Sequence, residues 1–160
     1  MLQAKDILTA QLPDILLFEE KKYLLHTKPL KRYFNVYPNK KPQGGVKLPN
    51  LRRGYLAYFE IRDRQLVLKD IKIMVDDKDS NSGYPYKWIS VLHEVFPDGK
   101  KMKIDWYSRI LVVPYGKVVA YVQKEYASEN SDYLLLEIDT GNFNEARRYT
   151  NEVFKDFNKK

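Results

Sequence analysis

The stretch Gly54-Tyr55-Leu56-Ala57-Tyr58-Phe59-Glu60-Ile61, then Arg62-Asp63-Arg64-Gln65, then Leu66-Val67-Leu68-Lys69-Asp70-Ile71-Lys72-Ile73-Met74-Val75, decides the fold. Successive side chains of a strand point to opposite faces. Tyr55, Ala57, Phe59 and Ile61 therefore share one face, and Leu56, Tyr58 and Glu60 the other. The charged Arg62–Gln65 segment reads as a tight turn into a second strand. On that strand the apolar set starts on even positions, Leu66 and Leu68, and moves to odd ones, Ile71, Ile73 and Val75. A period of two cannot change parity without an extra residue, so a bulge or bend is expected near Lys69-Asp70.

Upstream, Asp14–Phe18 and Lys22–Thr27 read as two short strands joined by a turn over Glu19–Lys21. Residues 1–12 read as a tail without the apolar stretch of a secretory signal. Lys28 to Asn50 holds Pro29, Pro38, Pro42 and Pro49 around Gly44-Gly45. Proline removes ladder donors, so this segment is expected to be loop, with one helical turn near Leu30–Phe34. Downstream, Trp88, Val91, Leu92 and Val95 recur at helical spacing and predict a short mid-chain helix. Three strands are expected over 102–113, 117–126 and 132–138, with turns at Pro114-Tyr115-Gly116 and over 127–131. Phe143, Ala146, Tyr149, Val153, Phe154 and Phe157 suggest a stripe on a C-terminal helix over 143–158. The expected fold is a single α+β domain over 1–160: a curled antiparallel sheet of about six to eight strands with the two helices against it.

Charge is unevenly distributed. Between Lys21 and Phe59 there are ten basic residues and no Asp or Glu. Without those ten, 18 of the 28 Lys and Arg remain against 21 Asp and Glu, so the net charge of +7 belongs to this segment. Uncancelled like charges sum into a field that attracts anions. Tyr33, Phe34 and Tyr37 stand among the cations as contact residues, whereas Tyr55 and Phe59 alternate as a core face does. A plain solvated loop explains the same composition.

The order of blocks resembles a family of small bacterial proteins of unknown function. The first block is Arg53-Gly54-Tyr55-Leu56-Ala57-Tyr58-Phe59-Glu60-Ile61 with Leu66-Val67-Leu68. The second is Asp105-Trp106-Tyr107-Ser108 with Ile110, Pro114, Gly116, Tyr121-Val122 and Leu134–Ile138. Pro29-Leu30 and Tyr33 fit the same pattern, and the likeness spans about residues 13 to 143. Phe59 departs from it, standing where Trp is expected, as do the segment 76–86 and the final helix. Such proteins occur beside contact-dependent toxin genes, so the resemblance implies an immunity role, with no activity to carry onto named residues.

Chemistry elsewhere is sparse. The chain has no Cys and only His26 and His93, which excludes thiolate chemistry and leaves no His-rich metal spacing. Asp76-Asp77-Lys78-Asp79-Ser80-Asn81 begins like a calcium loop, but the sixth position is Ser82 and not Gly, and the twelfth is Trp88 and not Glu. No Ser lies in a nucleophile-elbow context. Glu60, Asp105 and Glu137 could serve as paired carboxylates only if the fold joined them. No catalytic residue, metal or cofactor is therefore expected. The leading expectation is a cytoplasmic, non-catalytic protein-binding module that occludes an acidic protein partner. A nucleic-acid-binding module using segment 21–59 ranks second and a carboxylate hydrolase last; no membrane association is expected. The contact residues expected are Lys28, Lys31, Arg32, Tyr33, Tyr37, Lys40, Lys41, Arg52 and Arg53.

Overall fold

The structure, a computed structural model, describes residues 10–79, 81–98, 102–121 and 128–153. Strands β1 (Asp14–Phe18), β2 (Lys21–Leu25), β3 (Leu56–Arg62), β4 (Gln65–Asp76), β5 (Tyr86–Ser90), β6 (Met102–Lys103), β7 (Arg109–Tyr121), β8 (Ser128–Asp139) and β9 (Asn142–Thr150) form one sheet. Its path runs β2-β1-β3-β4-β9-β8-β7, with β5 and β6 also paired to β4. Two short α-helices, α1 (Leu30–Val36) and α2 (Leu92–Val95), a 3-10 turn at Pro38–Lys40 and the helical residues 151–153 complete the described elements. The class is α+β as expected, and the described residues form nine strands where about six to eight are expected.

Three two-residue turns close hairpins. Glu19-Glu20, Asp63-Arg64 and Thr140-Gly141 each have positive φ at both positions, the twist that suits a tight hairpin. The bulge falls where the parity change predicts it: Tyr58 pairs with Asp70 and Phe59 with Leu68, leaving Lys69 extra. Tyr55, Ala57, Phe59, Leu66, Leu68, Ile71 and Ile73 thereby all enter the main core, with Leu134, Leu136 and Ile138 from β8. Ile61 and Trp106 pack against it half-buried. Leu56 and Tyr58 point to the other face, where a second, smaller core gathers Leu51, Leu56 and Met74 with Val46, Leu48 and Trp88. The ends of the sheet approach each other: the rings of Tyr23 on β2 and Tyr115 on β7 meet edge to face at 5.8 Å. No ladder joins β2 to β7 in the described path, so the sheet is curled and open.

Several expectations are corrected. β1 and β3 run parallel, Leu16 beside Phe59, because residues 26–55 form a crossover returning the chain to the free edge of β1 in the same direction. That crossover is no plain loop: it carries α1 and a strap, residues 43–53, lying on the outer core. Residues 142–150 are strand and not helix. Ile138 pairs with Phe143 and Glu137 with Glu145, so Asn144 is a bulge; it puts Phe143 and Ala146 on the same face three residues apart and imitates helical spacing. Helix begins only at residue 151, and residues 154–158 lie outside the described ones. Trp88 lies in β5 and faces the outer core, whereas Val91 and Val95 enter the main one. The helical pattern thus joins residues of two cores, and only Leu92–Val95 is helical. Pro114-Tyr115-Gly116 stays within β7. Proline is tolerated there because β7 ends the sheet path, and edge strands can spare a donor.

The strap is fastened by the residues before β1, so the expected tail does not extend to residue 12. The Gln11 side-chain amide donates to Pro49 O at 2.8 Å, and Gln11 Oε1 accepts from Arg52 N–H at 2.9 Å. Leu12 N–H donates to Asn50 O at 2.8 Å. Asp14 Oδ1 accepts from the Arg53 guanidinium at 2.8 Å and from Ala57 N–H at 3.0 Å. Side-chain exposures are 7% for Arg53 and 0% for Asp14. Glycine is needed at 45, where a Cβ would fall 2.5 Å from the carbonyl oxygen of Gly54, and Gly44 beside it takes a φ of +83°.

Two substitutions test these layers by urea unfolding. Phe59→Ala empties a fully buried site and should cost about 3–5 kcal/mol. Asp14→Ala should cost about 3–5 kcal/mol, because it strips a buried guanidinium of its carboxylate. A loss under about 1 kcal/mol for Asp14→Ala would contradict the role given to that pair.

Candidate functional site: a basic cleft beside an aromatic one

Helix α1 organises the site. Leu30 and Phe34, four apart, bury one side of it. Lys31 N–H bonds to Lys28 O at 3.0 Å at its start, Tyr37 N–H bonds to Tyr33 O at 2.8 Å at its end, and Pro38 stops it. Lys31 and Arg32 are left on the exposed side. Facing α1 is the turn of residues 104–108. This turn packs on Gly141, where a Cβ would lie 2.8 Å from Ile104 O, and Gly141 N–H donates to Tyr107 O at 3.0 Å. Ser108 Oγ accepts from Thr140 N–H at 2.7 Å. Trp106 Nε1 donates to Pro29 O at 3.0 Å, tying the turn to the start of α1.

Between these elements lies a cleft of about 590 Å³. Lys28, Lys31, Arg32 and Arg109 supply cations to its lining; His26, Thr27, Asn35, Tyr107 and Ser108 supply polar groups; no carboxylate among the described residues lines it. The hydroxyls of Thr27 and Tyr107 are buried. Burial pushes the Tyr107 hydroxyl above its ordinary pKa, so it stays a donor. Burial pushes the His26 imidazole below its ordinary value, so it is neutral at pH 7.

Across Trp106 lies a second cleft of about 340 Å³, lined by Arg32, Tyr33, Val36, Tyr37, Met102, Asp105 and Trp106. Tyr33 stacks on Trp106 with centroids 4.8 Å apart and planes at 27°, and also meets Tyr37 at 4.9 Å and Phe96 at 5.5 Å. At its edge Val36 is 62% exposed and Tyr37 53%. A third hollow, about 170 Å³, is lined by Lys28, Lys31, Phe34, Asn35, Lys41, Arg53 and Tyr55.

The expected contact residues divide accordingly. Lys28, Lys31 and Arg32 converge on the basic cleft, and Tyr33 and Tyr37 on the aromatic one. Lys41 joins through the third hollow. Lys40 and Arg52 are exposed outside these clefts. Arg53 is corrected: it is buried and its charge is engaged by Asp14. Burial pushes the Asp14 carboxyl up, opposed first by Arg53 and then by Ala57 N–H and Lys28. Arg109 and Tyr107 belong to the site and were not legible as such, because contact with α1 joins segments about 80 residues apart in the chain; Thr27, next to Lys28, was read only as the end of a strand. Glu60, Asp105 and Glu137 do not converge. Glu60 lies in β3, Asp105 lines the aromatic cleft, and Glu137 lines a groove on β7–β9. Among the described residues no group of three or more His, Asp or Glu could hold a metal, and no helix is long and apolar enough to cross a membrane. Comparison with protein families, curated proteins and solved structures gives no match to this chain.

The lowered His26 pKa predicts a pH effect. A base whose folded pKa is depressed binds fewer protons folded than unfolded, so stability falls as pH drops below about 6.5 and levels off below the folded value. Denaturant unfolding of wild type and His26→Asn between pH 7.5 and 5 should show a steeper fall for wild type. Parallel curves would remove His26 from the account.

Proposed function

We propose that this chain is a non-catalytic protein-binding module whose α1 face receives an acidic protein partner. The observation that carries the reading is the pairing of an apolar centre with a cationic surround. Val36 and Tyr37 stand exposed at an aromatic cleft, with Lys31, Arg32 and Lys40 close in sequence and exposed. Protein interfaces favour aromatic residues and Arg in a buried centre within a polar rim. Rim charges act mainly on encounter rate and orientation. Two further features support a rigid surface: Tyr33 is held among neighbouring rings, and Trp106 is fixed by its bond to Pro29. Occlusion by such a surface accords with an immunity role against a toxin in the cytoplasm, the role implied by the sequence resemblance. Nucleic acid ranks below, because Tyr33 and Trp106 stack on each other and so offer fewer open ring faces to bases.

The test begins with capture of the partner from the native host, followed by stopped-flow association of the purified pair. Replacing Lys31, Arg32, Lys40 and Lys41 together by Glu should slow association at low salt by about tenfold or more. The melting temperature should hold, since these side chains lie at the surface. A partner bound at an unchanged rate would exclude this face. A linear fall of log affinity with log salt, of slope near −0.7 per contacted phosphate, would identify single-stranded nucleic acid instead.

A further inference from the structure

We propose that the free edge of β5 (Tyr86–Ser90) is a self-association surface, on which β5 of a second copy of this chain pairs antiparallel in a register centred on Trp88. The inference concerns a strand outside the α1 face and does not rest on the partner reading.

Among the described residues β4 is the one strand paired to β5. Two bonds flanking the ladder fix which backbone groups turn toward β4. Asp77 N–H donates to Pro85 O at 2.7 Å, and Val91 N–H donates to Ile71 O at 2.8 Å. Bonded positions alternate along an antiparallel strand. The pairs Val75–Lys87 and Ile73–Ile89 continue the same series, so Lys87 and Ile89 also turn their backbone groups to β4. Tyr86, Trp88 and Ser90 therefore turn their N–H and C=O groups outward, where no described residue bonds to them. A free edge of this kind is a template for another strand.

The edge fits itself. Its outward residues are symmetric about Trp88, so a twofold axis there sets Trp88 against the second copy's Trp88 and Tyr86 against its Ser90. Each such pair exchanges two backbone bonds, which satisfies every outward group of the strand. At the intervening positions Lys87 falls beside the second copy's Ile89 and not beside its Lys87, so no like charges oppose each other. Tyr86 and Trp88 are half-buried against the outer core of Leu51, Leu56 and Met74. The pairing sets the two outer cores side by side and covers more of Trp88. Tyr and Trp are enriched in such interfaces. A strand of another protein would take the same backbone bonds; the match of β5 to itself at each position favours a second copy. A ladder of five residues buries less than the roughly 800 Å² per partner of a stable dimer, so the association is weak.

Sedimentation equilibrium of the full chain, from micromolar to near-millimolar concentration, should show reversible dimer formation. Ile89 is 37% exposed, so the fold should accept a charge there. Ile89→Lys sets Lys against Lys87 twice across the axis and should weaken the dimer about fivefold or more. Adding Lys87→Glu to that variant sets opposite charges at both places and should restore the dimer at least to wild-type strength. Urea unfolding checks that each variant is folded. If Ile89→Lys does not fold, Tyr86→Pro carries the test: it removes an outward N–H at the first residue of the strand, where proline is tolerated, and should weaken the dimer likewise. A chain that stays monomeric throughout the range would overturn the proposal and leave the edge to an extended segment of another protein. So would a dimer that Ile89→Lys leaves unchanged, or one that the added Lys87→Glu fails to restore. Each of these failures leaves the partner reading intact, since the α1 face is unaltered in every variant.

Discussion

Asp14 stands where β1, the strap and β3 meet, and one of its oxygens serves both of the others. Oδ1 takes the Arg53 guanidinium and the Ala57 N–H together. The first contact closes the end of the strap. The second holds the start of β3 beside β1, where the parallel pairing of Ile15, Leu16 and Leu17 begins. A buried ion pair gives up solvation on both partners, so its net contribution to stability is small compared with the cost of breaking it. Its consequence here is register: the chain can lie beside β1 only where the carboxylate finds both donors. Gln11 and Leu12 extend the same clamp to Pro49, Asn50 and Arg52. These bonds satisfy backbone groups that the irregular strap leaves unpaired within itself.

That clamp gives the basic segment a defined shape. A run of cations with no acid among them would repel itself in a free loop. Here the repulsion is borne by an ordered crossover. Its apolar residues divide between two cores: Leu30 and Phe34 enter the main one, and Val46, Leu48 and Leu51 the outer one. The cations are consequently sorted. Arg53 is spent on structure, Lys28, Lys31 and Arg32 open into a cleft, and Lys40 and Arg52 remain in solvent. Charge that composition reports only as a total thus becomes concave and directional, the condition for selecting one anion over another.

How much of this was legible follows from the range of the interactions. The β3–β4 hairpin and its bulge at Lys69 were readable because alternation and turn chemistry act over a few residues. The inward face of Tyr55, Ala57 and Phe59 came with them. Residues 142–150 misled because a bulge at Asn144 spaces Phe143 and Ala146 as a helix would. Trp88 misled because it belongs to a different core from Val91. Both errors come from reading one period where tertiary contacts had joined two. In the site, local composition marked Lys28, Lys31, Arg32, Tyr33 and Tyr37. It also marked Arg53, since nothing near it in sequence indicates Asp14, 39 residues away. Arg109 stayed hidden for the same reason in reverse.

The central claim is that the acid-free segment is an ordered platform and not a solvated loop. Amide hydrogen exchange measures this directly. The account predicts protection well above the unstructured-chain rate for Tyr37, Val46 and Arg52. These N–H groups bond to Tyr33 O, Met74 O and Gln11 Oε1 respectively. Exchange of all three at the rate of an unfolded chain, while the amides of the β3–β4 hairpin stay protected, would contradict it.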